Sequence, residues 1–156
     1  STQLGTLALV PQLVDAVNIP VIAAGGIVDA KTVKAVQALG AAGAQVGTAY
    51  LLCTEATTST VHRSALESAD AQHTALTNIF SGGAARGIIN RVMRELGPIC
   101  DGAPPFPLAS ATIAPLRAHA ESLGSGDLSP LWAGQNASAC KAISAARMTL
   151  ELADAG

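Results

Sequence analysis

The stretch that decides the fold is IPVIAAGGIVDAKTVKAVQALGAAGAQVGTAYL, at residues 19–51. It opens with IPVIAA at residues 19–24, a continuous apolar run that is entered through a proline and closed by Gly25 and Gly26. A short apolar run between such breaks is typical of a strand that is buried on both faces of a sheet. We therefore predict a buried strand here, with a tight turn at its end.

A helix and a second strand follow in the same stretch. The apolar spacing becomes helical over residues 29–39, where Asp29 is placed as the N-cap and Gly40 as the C-terminal stop. We predict a second short buried strand at residues 44–46, which ends at Gly47-Thr48. A strand, a helix and a strand with short links form a βαβ unit, so we expect the two strands to be parallel.

Both strand ends carry turns that suit an anion, namely Gly25-Gly26 and Gly47-Thr48. Glycine lets the backbone approach a ligand closely and adopt positive φ, and N–H groups beside a helix start attract anions. In a (β/α)₈ barrel, the loops after the seventh and eighth strands commonly bind phosphate. The pair of turns therefore favours a phosphorylated cofactor or substrate, with the Thr48 hydroxyl as a further contact. The alternative is two ordinary turns that use glycine only for geometry.

The composition is that of a folded α/β protein. Of the 156 residues, 49% are hydrophobic, 13% are charged and only 3% are aromatic, so the core must be built from small aliphatic side chains. A net charge of −2 gives no basic excess for binding nucleic acid. No apolar run reaches the length of a membrane span. A Rossmann dinucleotide site is disfavoured as well, because no GxGxxG opens a helix.

The cysteines and the first residues bear on the compartment. Cys53, Cys100 and Cys140 form no CxxC pair, and no basic and apolar leader opens the chain. An odd number of cysteines argues against a disulfide framework and for a reducing compartment. We therefore expect a cytoplasmic protein whose cysteines serve as small apolar residues rather than as nucleophiles.

Helical spacing also occurs outside the βαβ stretch. Residues 7–17 predict a helix that starts at about Leu9 or Val10, because Pro11 is tolerated only near a first turn. Four prolines predict an irregular segment at residues 97–107. Further helices are predicted at residues 61–71, 111–123 and 138–153.

Taken together, these blocks resemble the nitronate monooxygenases, formerly called 2-nitropropane dioxygenases. The likeness is carried by residues 19–51, by Glu55, by FSGGAARGIINR at 80–91, by LWAGQ at 131–135 and by GTLALVPQLVDAV at 5–17. It covers most of the chain and is strongest over residues 5–91.

The resemblance implies an FMN-dependent (β/α)₈ barrel that oxidises alkyl nitronates with O₂ to a carbonyl compound and nitrite. Its partners would be the small-molecule nitronate and O₂. In the family, the glycine pair after strand seven and the QxGT turn after strand eight hold the FMN phosphate. The corresponding residues here are Gly25, Gly26, Gln45, Val46, Gly47 and Thr48.

The resemblance also implies that this chain is the C-terminal part of such an enzyme. Residues 1–54 are expected to form barrel strands seven and eight with their flanking helices. Residues 55–127 are expected to form a small helical insertion, and residues 128–156 a C-terminal helix that returns to the barrel. The family's catalytic histidine lies in an AGGH segment, which would fall upstream of Ser1. The chain alone would then be inactive.

Two alternatives remain open, and a third lacks the loop that it would need. An FMN-dependent enoyl-acyl-carrier-protein reductase shares the motif style, but its usual GTRF turn differs from the sequence Gly47-Thr48-Ala49-Tyr50. The block at residues 80–91 favours the monooxygenase instead. An IMP dehydrogenase-like enzyme would need a cysteine loop before the glycines. The last alternative is a non-catalytic remnant that binds only a phosphate ligand or a partner subunit.

Few other side chains suggest chemistry. His62, His73 and His119 have no spacing that suits a metal site, so we expect surface or interface roles. Arg86 could pair with a carboxylate or reach the cofactor phosphate, whereas a solvated salt bridge is the plainer expectation for Arg86 and Arg91.

Two further short motifs bear on the expected site. Where the family commonly has FSGR, this chain has Ser81, Gly82 and Gly83, so a basic residue is lost. Trp132 and Gln135, in the LWAGQ motif, are expected to dock the last helix rather than to touch substrate.

Overall fold

The predicted strand–helix–strand unit is present in the structure, a computed structural model that describes residues 4–154. The chain divides into two compact units, Ser1–Ala56 with Ala139–Gly156, and Thr57–Ser138. The first unit contains helices α1 (Thr6–Ala16), α2 (Ala30–Ala38) and α6 (Ala145–Ala153), strands β1 (Ile22–Ala24) and β2 (Gly43–Gln45), and a 3₁₀ turn (Thr48–Tyr50). The second contains helices α3 (Thr60–Glu67), α4 (Arg91–Leu96) and α5 (Leu108–Ser122), strands β3 (Thr74–Thr77) and β4 (Ala85–Ile88), and a 3₁₀ turn (Ala69–Gln72).

Strands β1 and β2 pair in parallel, as predicted, with Ile22 opposite Gly43 and Ala24 opposite Gln45. Each has only three residues, so β1 is shorter than the apolar run at 19–24. The expectation of burial on both faces is wrong for β1 within the described residues. Ala23 is buried, whereas Ile22 is 57% exposed and Ala24 is also exposed. One face of this strand therefore lacks a covering layer in residues 4–154.

The start of α1 also differs from the prediction. The helix begins at Thr6 rather than at Leu9 or Val10, and Pro11 lies inside it. Proline has no N–H to donate to the carbonyl of Leu7, one turn earlier. Leu7 is 71% exposed, so water can satisfy that carbonyl. The Gln12 side-chain amide donates to the neighbouring Ala8 carbonyl at 2.7 Å, which also supports this turn.

The core of the first unit is built from small and medium aliphatic side chains, as the low aromatic content predicted. Val33 and Val36, one turn apart on α2, are buried together with Ala23 of β1. Met148 and Leu152 of α6 belong to the same cluster. Helix α6 begins at Ala145, so the prediction of a helix from residue 138 was wrong about its start.

Residues 55–127 were expected to be helical, but the second unit also contains two strands. Strands β3 and β4 form an antiparallel pair, with Thr74 opposite Ile88 and Thr77 opposite Ala85. The turn between them contains Gly82 at φ +84°, where an added Cβ would lie 2.3 Å from the backbone nitrogen of Phe106. Only glycine fits such an approach.

Packing in the second unit centres on Phe80, whose ring meets the Trp132 ring edge-on with centroids 5.8 Å apart. Ile79, Val92 and Met93 complete this cluster. The predicted helices are observed with shifted ends: residues 61–71 become α3 and the 3₁₀ turn, and residues 111–123 become α5. No helix within residues 4–154 has the length and apolarity needed to cross a membrane.

Candidate functional site

The parallel register brings the two glycine turns to one edge of the sheet. Ala24 and Gln45 are the last residues of β1 and β2, and they lie opposite each other. The carboxyl ends of parallel strands meet at the same edge, so Gly25-Gly26 and Val46-Gly47 continue side by side. Gln45, Gly47 and Gly25 are exposed there. The structure thus groups the six residues that the sequence proposed for cofactor binding.

The first turn needs glycine for its backbone conformation. Gly25 has φ +111° and Gly26 has φ +74°, values that residues with a Cβ rarely adopt. The Thr6 hydroxyl donates to the carbonyls of Gly25, at 3.0 Å, and Ala24, at 3.3 Å. A Cβ on Gly25 would lie 2.9 Å from that hydroxyl oxygen. The first turn therefore requires glycine and is held by a side chain of α1.

The second turn is built differently. Gly47 has φ −119° and ψ −68°, so no left-handed conformation requires a glycine here. Thr48 opens the 3₁₀ turn, and its carbonyl lies 3.2 Å from the Cys140 thiol, which acts as the donor. Burial, with a smaller contribution from Cys53, raises the pKa of Cys140 to about 11. This thiol therefore stays protonated at neutral pH and remains a hydrogen-bond donor.

The space beside Gly26 and Gly47 is open. No heavy atom comes within 4 Å of a Cβ built on Gly26 or on Gly47. Open space beside a backbone without a side chain is what close approach by a phosphorylated ligand requires. The half-buried Thr48 hydroxyl belongs to the same turn. The missing side chain thus leaves open space at both turns, and at the first turn glycine also permits the positive φ values.

Helix α2 contributes less to an anion site than its position suggests. Asp29 caps it: the Asp29 carboxylate accepts from the Thr32 N–H at 2.8 Å, and the Asp29 N–H donates to the Thr32 hydroxyl at 3.1 Å. The Val28 N–H also donates to that hydroxyl, at 3.0 Å. The Thr32 N–H and the Thr32 hydroxyl both donate to the Asp29 carboxylate, and these two bonds, with Lys31 and Lys141 nearby, lower the pKa of Asp29. The start of α2 therefore already has its own carboxylate.

Beside the second turn, Gln45 and Val46 line a cavity of about 590 Å³ together with Ile22, Tyr50 and Leu152. The Tyr50 hydroxyl lies 2.9 Å from the Thr149 hydroxyl, which fixes the phenol ring against α6. This cavity opens beside β2, next to the residues of the second turn.

The histidines lie in the second unit. His73 and His119 are exposed, and His73 directly precedes β3. His62 of α3 is half-buried, and its Nε2 is buried without a hydrogen-bond partner among the described residues. Burial is the main cause of its lowered pKa, and Arg117 adds to the effect.

The two arginines proposed from the sequence make local contacts. The Arg86 guanidinium on β4 donates to the Thr74 carbonyl at 3.1 Å and to the Thr74 hydroxyl at 3.3 Å, across the hairpin. Arg91 pairs with Glu95 at 2.7 Å, one turn further along α4, and both side chains are largely exposed. Such an exposed pair adds little stability. The plainer expectation, a solvated salt bridge, is confirmed for Arg91.

Sequence reasoning missed the residues that hold the turns, Thr6 and Cys140. Thr6 lies 19 residues before Gly25, and Cys140 lies 92 residues after Thr48. No local pattern connects such distant positions, although Thr6 follows Gly5 at the start of a helix, where a hydroxyl often meets backbone groups. Glu55, one of the residues that carry the resemblance, accepts from the Ala145 N–H of α6 at 2.9 Å, which lowers the pKa of Glu55.

A parallel βαβ unit with paired glycine turns defines a mixed α/β protein, and its structural neighbours are TIM-barrel enzymes. Nitroalkane oxidase from Streptomyces ansochromogenes superposes with a TM-score of 0.87 at 39% identity, covering 97% of this chain and 44% of that one. FabK from Thermotoga maritima superposes with a TM-score of 0.76 at 25% identity, covering 99% of this chain and 49% of that one.

The family is defined by sequence. A family model described as nitronate monooxygenase matches residues 1–154, and the chain belongs to this family. It is 41% identical over 131 residues to a probable nitronate monooxygenase of Bacillus subtilis (strain 168), covering 84% of this chain. It is also 41% identical over 132 residues to one of Staphylococcus aureus (strain JH9), covering 85%. The chain spans only 38% and 37% of these two relatives.

Proposed function

We propose that this chain supplies the FMN phosphate-binding part of a (β/α)₈ flavoenzyme that oxidises alkyl nitronates with O₂ to a carbonyl compound and nitrite. The observation that carries the proposal is the pair of open glycine turns at one edge of a parallel sheet. Membership of the nitronate monooxygenase family supports the reaction class.

The residues of the two turns have distinct proposed roles. The backbone at Gly25 and Gly26 approaches the phosphate from the first strand end, and the backbone at Gly47 does so from the second. The Thr48 hydroxyl adds a side-chain contact. Gln45 and Val46 carry the chain into the second turn. FMN, when bound, would supply the redox chemistry, while the protein positions it and excludes competing reactions.

We propose the same arrangement for the whole enzyme as the resemblance implies. Residues 1–54 form barrel strands seven and eight, residues 55–127 an insertion, and residues 128–156 the return to the barrel. The half-exposed strand β1 supports this, because an uncovered sheet face and open strand edges favour further packing. The base for neutral nitroalkanes is proposed to come from a segment upstream of Ser1. The substrates are a small nitronate and O₂.

Cofactor binding is the first test. FMN is titrated into the purified chain and followed by quenching of flavin fluorescence, for the wild type, Gly26→Ala and Gly124→Ala. Gly124 is a matched control, because it has φ +76° and, like Gly26, no atom within 4 Å of an added Cβ. Both variants carry the same backbone strain, but only Gly26 lies in the candidate site. We expect Gly26→Ala to weaken FMN binding and Gly124→Ala to leave it unchanged. Equal affinities in all three proteins would reject the site.

The reaction is tested on a longer protein, in which this chain is joined to the N-terminal part of the Bacillus subtilis relative. We expect O₂ consumption and nitrite release with an alkyl nitronate. Oxidation of NAD(P)H by an enoyl thioester would favour the enoyl-acyl-carrier-protein reductase instead. No turnover with either substrate in an FMN-loaded protein would favour the non-catalytic remnant.

A further inference from the structure

Two side chains hold the glycine turns through hydrogen bonds to carbonyl groups of the turns. The Thr6 hydroxyl donates to the carbonyls of Gly25 and Ala24, and the Cys140 thiol donates to the carbonyl of Thr48. We propose that Thr6 and Cys140 are positioning residues for the FMN phosphate. They would fix the peptide planes of the two turns without touching the ligand. This inference rests on the proposed function.

The peptide bond supplies the physical link. In a trans peptide unit, the C=O and the N–H point in opposite directions across a rigid plane. The Gly25 carbonyl belongs to the same plane as the Gly26 N–H, so a bond from Thr6 to that carbonyl sets the direction of the Gly26 N–H. The bond to the Ala24 carbonyl does the same for the Gly25 N–H. A hydroxyl has one proton, so the two carbonyls share it, and the shorter bond, to Gly25, mainly sets the direction of the Gly26 N–H.

The conformation of this turn makes external support necessary. Gly25 and Gly26 both have positive φ, and glycine has more accessible backbone conformations than any other residue. A run of two glycines is therefore easily lost to other conformations unless another group restrains it. Thr6 is placed to do so, because its oxygen lies so close to Gly25 that an added Cβ would meet it at 2.9 Å.

Cys140 has the corresponding place at the second turn. Its thiol donates to the Thr48 carbonyl at 3.2 Å, and that carbonyl shares a peptide plane with the N–H of Ala49. Ala49 is fully buried, so its peptide plane is also restrained by packing. A thiol is a weaker donor than a hydroxyl. We therefore expect Cys140 to contribute less than Thr6 to positioning the turns for the FMN phosphate.

The experiment measures two quantities on the whole chain: the dissociation constant for FMN and the amide hydrogen exchange of residues 25–27. The variants are Thr6→Ala, Thr6→Ser, Cys140→Ala and Cys140→Ser. Thr112→Ala is the matched control for Thr6, because the Thr112 hydroxyl donates to the Leu108 carbonyl within its own helix. Cys100→Ala is the control for Cys140, since both thiols are half-buried.

We expect Thr6→Ala to raise the FMN dissociation constant about fivefold, the effect of one lost hydrogen bond, and to speed exchange at residues 25–27. Thr6→Ser keeps the hydroxyl and should restore both values. Cys140→Ala should raise the dissociation constant by less, and Cys140→Ser should restore it. The two control variants should match the wild type in affinity and in exchange.

The outcomes separate this inference from the proposed function. If the wild type binds FMN and Thr6→Ala binds it equally well, with unchanged exchange at residues 25–27, the positioning role is overturned and the proposed site stands. If Thr6→Ser fails to restore affinity, the hydroxyl is not the group responsible and the role is likewise overturned. If the wild type binds no FMN, the proposed cofactor site is overturned, and the positioning of its phosphate falls with it.

Discussion

The two turns at the edge of the parallel sheet use glycine for different reasons. The first turn, Gly25-Gly26, has positive φ at both residues and is held by a hydroxyl from α1. The second turn contains Gly47 at φ −119°, a conformation open to other residues, and is followed by a 3₁₀ turn. Both leave open space, over Gly26 and over Gly47. The first turn therefore needs glycine both for its backbone conformation and for access, whereas the second needs it for access alone.

Because of this difference, substitutions in the two turns should affect the stability of the fold and the binding of a ligand to different extents. A side chain added to the first turn should damage both, because it meets an unfavourable backbone conformation before any ligand arrives. A side chain added to the second turn should affect the ligand and leave the fold nearly unchanged. The four predictions below test this difference, from the largest expected effect to the smallest.

Replacement of Gly25 by alanine should have the largest effect. The new Cβ meets φ +111° and the Thr6 oxygen at 2.9 Å, so we expect the free energy of unfolding to fall by about 2–3 kcal/mol. Urea denaturation of Gly25→Ala measures this loss. In Thr6→Ala/Gly25→Ala the close contact is gone, so the double variant should lose less than the sum of the two single losses. Simple additivity would show that the hydroxyl does not restrict Gly25.

Gly26→Ala should lose less stability, because its φ is +74° and no neighbour meets the new Cβ. The expected loss is about 1–2 kcal/mol, the cost of a left-handed conformation for an L-residue. The control, Gly124→Ala, has nearly the same φ and should lose a similar amount. If Gly26→Ala were far more harmful than Gly124→Ala without ligand, the turn would carry a restraint beyond its φ value.

Asp29 tests the helix that leaves the first turn. Asp29→Ala removes the N-cap of α2 and should cost about 1 kcal/mol at pH 7. The folded state lowers the pKa of Asp29 below its ordinary value of 3.8, so its stabilisation is present above about pH 4 and is lost as the pH falls through the lowered value. The difference between wild type and Asp29→Ala should therefore shrink below pH 4.

The control for this prediction is Asp29→Asn, which keeps a capping oxygen but does not titrate. It should stay close to the wild type at pH 7 and show less acid dependence. Chemical denaturation at pH 7 and pH 3 measures both quantities. A difference between wild type and Asp29→Ala that is the same at the two pH values would contradict the assignment of the effect to the carboxylate.

Gly47→Ala should have the smallest effect on the fold. The backbone there accepts a Cβ and no atom lies within 4 Å of it, so the free energy of unfolding should change by less than about 0.5 kcal/mol. FMN affinity should nevertheless fall, since the methyl group enters the space proposed for the phosphate. A large loss of stability without a change in FMN affinity would reverse the comparison of the two turns.

Much of the first unit could be predicted because its signals are local. Asp29 and Gly40 bracket α2 as N-cap and stop, and the structure confirms both the capping bonds and the positive φ of Gly40. The parallel pairing followed from the short links alone. The family resemblance was confirmed by the match over residues 1–154. The use of the glycine turns for FMN remains a prediction.

Other elements could not be predicted from the local sequence pattern. Pro11 predicted a later helix start, but an exposed Leu7 carbonyl tolerates the missing donor. The β3–β4 hairpin lies around the turn at Gly82, which the local sequence marked only as part of Ser81-Gly82-Gly83. This position must be a glycine because the backbone of residues 104–106, more than 20 positions away, leaves no room for a Cβ. Such contacts depend on how the chain returns upon itself.

The sequence by itself determined the βαβ unit, the positions of the glycine turns and the family, because capping residues, apolar periods and short links act over a few residues. The tertiary structure decided which turn requires positive φ and which groups hold each turn. Thr6 and Cys140 reach the two turns only after folding has joined positions 19 and 92 residues apart. Hydrogen-bond partners at such distances are set by packing, and no local pattern of side chains records them.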